Sequence, residues 1–154
     1  MNRIPLVPVE ELTPAQRDAY DNKPGGKLNL SRLLAHAQTM QPGISQAVQA
    51  MMMDITVPPL ERQICVLAVL HLDRGEYEWA QHMQVSKAMG IPDEKVAAIA
   101  NDRFGDPVFN EREKALLAFT RQVVKTVRVD DFVFNAVNAF YTPRQIVELI
   151  HVIG

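Results

Sequence analysis

The sequence predicts an all-α fold, a single-domain bundle of about eight helices. Three observations point there. Apolar residues recur with a period near 3.6, as on the faces shared by Leu116, Phe119, Val123 and Val127 and by Ile44, Val48, Met51 and Ile55. Helix-start chemistry recurs too. Thr13-Pro14-Ala15-Gln16 and Thr142-Pro143-Arg144-Gln145 each place a hydroxyl N-cap before proline and three residues before glutamine, the capping-box pattern. No segment carries the sustained alternation, bounded by hairpin turns, that marks strands.

The elements follow in order. Thr13 caps a helix over 13–22, and Lys23-Pro24-Gly25-Gly26-Lys27 is a loop. A second helix covers 29–38. Pro42 lies at the start of a third over 42–53, and Pro59 at the start of a fourth over 58–73. The fourth is apolar nearly all round from 60 to 72, so it is expected to be buried in the bundle or at a subunit contact. The short link Asp73-Arg74-Gly75 sets a fifth helix, 75–89, beside it, and Gly90 stops that helix. Pro92 lies at the start of a sixth over 92–101. A loop with Gly105 and Pro107 precedes a seventh over 110–126, capped by Asn110. The last, 130–151, is expected to break at Thr142.

Bulk properties narrow the function. A chain of 154 residues suits one domain, 1–154. A net charge of -2 with interspersed signs makes no basic face for nucleic acid. The lone Cys65 cannot form an intrachain disulfide. Residues 1–10 lack the apolar core of a secretory signal, and the longest apolar stretch, 64–72, is too short to cross a bilayer. The expectation is a cytoplasmic protein with no nucleic-acid or membrane partner.

One helix carries candidate chemistry. On 76–89, Glu78, His82, Val85 and Met89 share a face, with Gln81, Gln84 and Lys87 opposite. Glu78 and His82 are therefore expected to point inward on adjacent turns. A carboxylate beside an imidazole raises its pKa and fixes its tautomer, while burial pushes the other way. Such a pair is a usable acid/base unit; it can equally be a hydrogen-bonded pair that satisfies only itself. Trp79 is a candidate pocket wall or a core residue. Cys65 sits in an apolar run, where a thiol is inert. His36, His71 and His151 lack ligand-type spacing, and Glu78 with His82 would need a third ligand to hold a metal. No metal site and no cofactor are expected.

The same helix carries a family resemblance. Tyr77-Glu78-Trp79-Ala80-Gln81-His82 resembles the Tyr-Glu-Trp-x-x-His signature of many carboxymuconolactone decarboxylase-like proteins. Leu12-Thr13-Pro14, the segment from Asn29 to His36, Pro59-Leu60-Glu61-Arg62-Gln63-Ile64, Gly90-Ile91, Glu113-Lys114-Ala115-Leu116-Leu117 and Ile146-Val147-Glu148-Leu149 resemble further segments of that superfamily, in order and across nearly the whole chain. The resemblance implies an all-helical fold of the alkyl hydroperoxidase D-like type, assembled as a homo-oligomer, trimer or hexamer, with a small-molecule pocket near the signature helix. Relatives of this type often continue with another helical stretch past the position of Gly154, so the chain is expected to lack that extension.

The superfamily's peroxidase motif has a glutamate, then a Cys-x-x-Cys, then a histidine four residues after the second cysteine. Mapped onto this chain, the histidine is His82, the cysteine positions are Gly75 and Glu78, and the glutamate position is Gln63. Without a thiol pair there is nothing to reduce a peroxide and close a disulfide, which argues against a thiol peroxidase. The reading that remains is a cofactor-free lyase or isomerase acting on a small carboxylated or lactone-type compound. His82 would be its general acid/base, with Glu78 orienting and charging it, Gln63 a polar substrate contact and Trp79 a pocket wall. Gln63 in place of glutamate also allows a non-catalytic small-molecule-binding or assembly protein on the same scaffold, and a metal-dependent enzyme is a third alternative.

Overall fold

The computed structural model describes residues 3–23 and 25–154. Pro24, in the expected 23–27 loop, and Met1 and Asn2, in the segment read for a signal, lie outside the described residues. Among those residues the chain has nine α-helices, one short 3-10 helix (Val9–Glu11) and no strand. It falls into two compact units, Met1–Met53 and Asp54–Gly154.

The first unit holds α1 (Pro14–Asn22), α2 (Asn29–Leu34) and α3 (Gln41–Met53). Thr13 and Gln16 make the reciprocal capping box, and the Gln16 side-chain amide donates to the Ala35 carbonyl at 3.1 Å, tying α1 to the end of α2. Gly26 is required by close packing: a Cβ there would stand 2.2 Å from the Ala19 carbonyl oxygen. Helix α2 stops before residue 38 because the backbone tightens into three-residue turns, His36 N–H to Leu33 and Ala37 N–H to Leu34. Although Ile44, Val48 and Met51 fall on one face of α3, no residue of that helix is buried.

The second unit is built around α4 (Pro59–Asp73), which packs against α5 (Glu76–Ala88), α6 (Asp93–Ala100), α7 (Glu111–Thr126) and α9 (Pro143–Ile153); α8 (Asp131–Asn138) joins α7 and α9. The expected all-round apolarity of α4 is explained by two core clusters on its flanks. Ile64, Leu67, Ala68 and Leu72 pack with Ile99, Phe104, Phe109 and Leu117, while Cys65 packs with Leu116, Phe119, Val137 and Leu149. Helix α7 likewise serves both clusters, through Leu117 on one side and Leu116 and Phe119 on the other. Thr142 makes the expected capping box, Asn110 caps α7 as expected and goes further by forming a box with Glu113, and the final helical stretch divides at Thr142. Val127 departs from the expected α7 face. It caps the helix in the left-handed conformation at φ 56 and is 89% exposed.

Arg74 ends α4, also in the left-handed conformation, with φ 58. For a side-chain-bearing residue this costs roughly 1–2 kcal/mol. It reverses the chain within two residues, and Gly75 N–H returns to the Leu70 carbonyl at 2.9 Å. That tight link lays α5 alongside α4. Among the described residues, no helix is long and apolar enough to cross a membrane.

Candidate functional site

The face of α5 turned toward α4 carries His82 and, one turn on, Ser86; α4 brings Gln63 to meet them. Gln63 and Ser86 are each 1% exposed, so their polar atoms must be satisfied from within. They satisfy each other. The Gln63 amide nitrogen lies 2.9 Å from Ser86 Oγ and 3.2 Å from the His82 carbonyl oxygen, and Ser86 Oγ donates to that same carbonyl at 2.7 Å.

This network sets the histidine tautomer. Both Gln63 amide atoms reach His82 Nδ1, Nε2 at 3.1 Å and Oε1 at 3.2 Å. The amide has two protons. With Ser86 committed as donor to the His82 carbonyl, Ser86 Oγ accepts one of them and the carbonyl the other, which leaves Oε1 to accept from Nδ1–H. The tautomer is assigned from this pattern of donors and acceptors. It places the lone pair on His82 Nε2, which has no hydrogen-bond partner among the described residues.

The electrostatics point the same way. Burial pushes the His82 pKa below 6.5; the charge of Glu78 opposes this and that of Arg62 adds to it. His82 is therefore neutral at pH 7 and suited to accept a proton. Glu78 acts on it through charge alone, since no hydrogen bond joins the two; the expected direct pairing of these side chains is replaced by the Gln63 contact. Arg62, 8% exposed on α4, supplies a positive charge close enough to be felt by the imidazole.

Trp79 stands apart from this group. It packs against the Ile64–Leu117 core cluster and lines a cleft of about 600 Å³ that has no lining residue from the His82 network. Its ring lies near that of His71, with centroids 6.5 Å apart. Cys65 is fully buried, 3.4 Å from Thr120 Oγ1, and burial pushes its thiol up to about 12. It is protonated and shielded. Among the described residues, no three His, Cys, Asp or Glu side chains converge as metal ligands.

Two features escaped the sequence. Ser86 lies four residues after His82, so helical spacing alone was signal enough to find it. The contact of His71 with Asp102, Nε2 to Oδ1 at 3.3 Å, joins residues far apart in the chain and had no local signal.

No family model matches the sequence, and no curated protein does. Among solved structures the chain is similar to an alkylhydroperoxidase AhpD core from Ralstonia eutropha, described as an uncharacterized peroxidase-related protein. The TM-score is 0.84 at 18% identity, and the match covers 98% of this chain and 82% of that one. The all-helical chain thus has the alkylhydroperoxidase AhpD-like fold.

Proposed function

We propose that residues 1–154 act as one carboxymuconolactone decarboxylase-like domain, a cofactor-free acid/base lyase or isomerase for a small carboxylated or lactone-type compound. The observation that carries this is the His82 imidazole held at Nδ1 by buried Gln63, with Nε2 unpartnered among the described residues and the pKa depressed. A neutral, oriented imidazole is a general base. It takes a proton from a carbon next to the substrate carbonyl, and the electron pair left behind moves onto the carbonyl oxygen. In an isomerase the imidazolium then returns the proton to another carbon of the same framework. In a lyase no proton is abstracted; instead the carbon–carboxylate bond breaks, its electron pair moves onto the conjugated carbonyl oxygen as carbon dioxide leaves, and the protonated form of His82 supplies the proton that takes its place. The depressed pKa gives the proton-abstracting step more weight than proton donation. Arg62 would stabilise the developing oxyanion, and the charge of Glu78 would raise the basicity of His82 against the effect of burial.

The separation of the Trp79 cleft from His82 favours a second reading, a non-catalytic small-molecule-binding protein on the same scaffold. A cytoplasmic homo-oligomer is part of the proposal; the exposed Phe132, Phe134 and Phe140 on and after α8 support assembly.

The test is turnover of 4-carboxymuconolactone in D2O, following carbon dioxide release and deuterium incorporation for wild type and His82→Ala. Turnover lost in a folded His82→Ala variant supports the proposal. Turnover retained in that variant removes His82 from the chemistry, and no turnover by wild type rejects this substrate and favours the binding reading.

A further inference from the structure

We infer that the cleft at the end of α4 is a second binding site, one that takes a small planar carboxylate. It is formed wholly within the second unit, by the last turn of α4, the first turn of α5, the loop after α6 and the outer face of α7. Its volume of about 600 Å³ falls in the range of small-molecule sites.

One wall is aromatic. Trp79 and His71 stand at 58° to each other, and the His71 ring meets Phe104 edge-on with centroids 6.2 Å apart. Leu70 and Leu72 extend this apolar surface. A flat ring has a matching face here.

The opposite requirement, a counter-charge for an anion, is met by Arg74 and Lys125. Three cations line the cleft, but Arg121 is committed. Its guanidinium grips Asp102 through both nitrogens, at 2.7 and 3.1 Å, and stacks over Phe104 at 4.4 Å. Asp102 also faces His71, so its carboxylate is already neutralised. Lys125 meets only an uncharged group, the Leu72 carbonyl. Arg74 has no side-chain partner among the described residues. Glu76 is the one remaining carboxylate in the lining, against these two cations. The balance is positive beside an aromatic wall, which fits a ring bearing a carboxylate.

Two helix ends turn into this lining. Of the three non-glycine residues with left-handed φ among the described residues, two, Arg74 and Asp102, line this cleft. Arg74 caps α4 and Asp102 follows the end of α6, so these conformations stop the two helices at the rim of the cleft.

Trp79 is the chain's single tryptophan, so its emission reports on this cleft. The probe is benzoate, with benzamide as its neutral counterpart and acetate as the anion without a ring. Benzoate should change Trp79 emission saturably and move the Trp79 indole N–H resonance. Benzamide and acetate should bind at least tenfold more weakly. Arg74→Gln, which removes no internal contact, should weaken benzoate severalfold, and Arg74→Gln with Lys125→Gln at least tenfold, both with wild-type far-UV circular dichroism. His82→Ala should leave benzoate affinity unchanged. A linear, unsaturating response, equal affinity for benzamide, or undiminished affinity in the folded Arg74→Gln and double variants would overturn the assignment. These readouts need no turnover, so they stand or fall independently of the chemistry proposed at His82.

Discussion

Gln63 holds His82 at two points, with its amide oxygen 3.2 Å from the ring Nδ1 and its amide nitrogen 3.2 Å from the same residue's carbonyl oxygen. Side chain and backbone of the histidine are therefore oriented by one buried residue. An amide can do this because it offers a donor and an acceptor together, whereas an ionised carboxylate offers acceptors only.

That difference predicts the outcome of Gln63→Glu. A carboxylate facing Nδ1 favours the imidazolium, so the His82 pKa should rise from its depressed position. The variant also loses the donor to Ser86 and to the His82 carbonyl, and should be destabilised by about 1–3 kcal/mol. An NMR titration of His82 and urea unfolding check the two parts. A His82 pKa that stays put would contradict the tautomer assignment.

Glu78 acts in the opposite sense to burial, and its removal has a definite sign. Its negative charge raises the His82 pKa, so Glu78→Gln should lower it further. The acid limb of any pH–rate profile that depends on neutral His82 should move to lower pH. The measured quantity is the midpoint of that limb, or of the NMR titration. No movement would mean that Glu78 does not act on the imidazole.

The depressed His82 pKa also makes stability depend on pH. Unfolding releases the imidazole to its ordinary pKa of 6.5, so the unfolded chain binds a proton more readily. Stability from this group is complete above 6.5 and is lost as pH falls from there through the lower folded value. The gap in urea midpoint between wild type and His82→Ala should therefore shift against wild type as pH drops from 7.5 to 5. A gap independent of pH would show that His82 is not desolvated in the native state.

Much of the helix punctuation was legible because capping chemistry is local. Thr13, Asn110 and Thr142 each act within four residues; the two threonines form the boxes that their sequences spell, and Asn110 is the cap that was read, with Glu113 completing a box. Side-chain direction was harder. Helical spacing set Glu78 and His82 on one face, but that face is broad enough to hold the Gln63 contact at His82 without a direct bond to Glu78. Trp79 is one position on from Glu78, which is enough to turn it into a different cleft. Gln63 was singled out through family resemblance alone, since nothing local connects α4 to α5. The His71–Asp102 contact depends on how the end of α4 meets the loop after α6, which is a matter of packing rather than pattern. Val127 fits the α7 periodicity, yet the helix ends one residue before it.

Cys65 should behave as a core residue. With no exposure and a thiol held protonated, native protein should not react with a disulfide reagent at pH 8, and reaction should follow unfolding in urea. Cys65→Ser should leave any turnover unchanged while lowering stability, because a hydroxyl replaces an apolar thiol between α4 and α7. Rapid labelling of the native state would place the thiol at the surface and reopen its role.

The last prediction concerns the join of α4 to the start of α9, where Tyr141 O–H donates to Glu61 Oε2 at 2.8 Å. Arg112 supports the same carboxylate, with Nε 2.8 Å from Oε1, and lies over the Tyr141 ring at 4.3 Å. Its Nε–H is nevertheless misaligned for a hydrogen bond, so this contact is an ion pair, and the phenol is the better-directed donor. Burial, with Glu61 adding to it, raises the Tyr141 pKa, so the phenol keeps its proton at neutral pH. Tyr141→Phe keeps the ring packed and removes only this donor. It should cost about 1–3 kcal/mol, toward the lower end because Arg112 still balances the charge. Tyr141→Ala removes the ring as well and should cost about 3–5 kcal/mol. A double-mutant cycle of Tyr141→Phe with Glu61→Gln isolates the shared term, expected at about 0.5–3 kcal/mol. Strict additivity in that cycle would show that the two residues contribute separately, through packing and through the Arg112 ion pair, rather than through the bond between them.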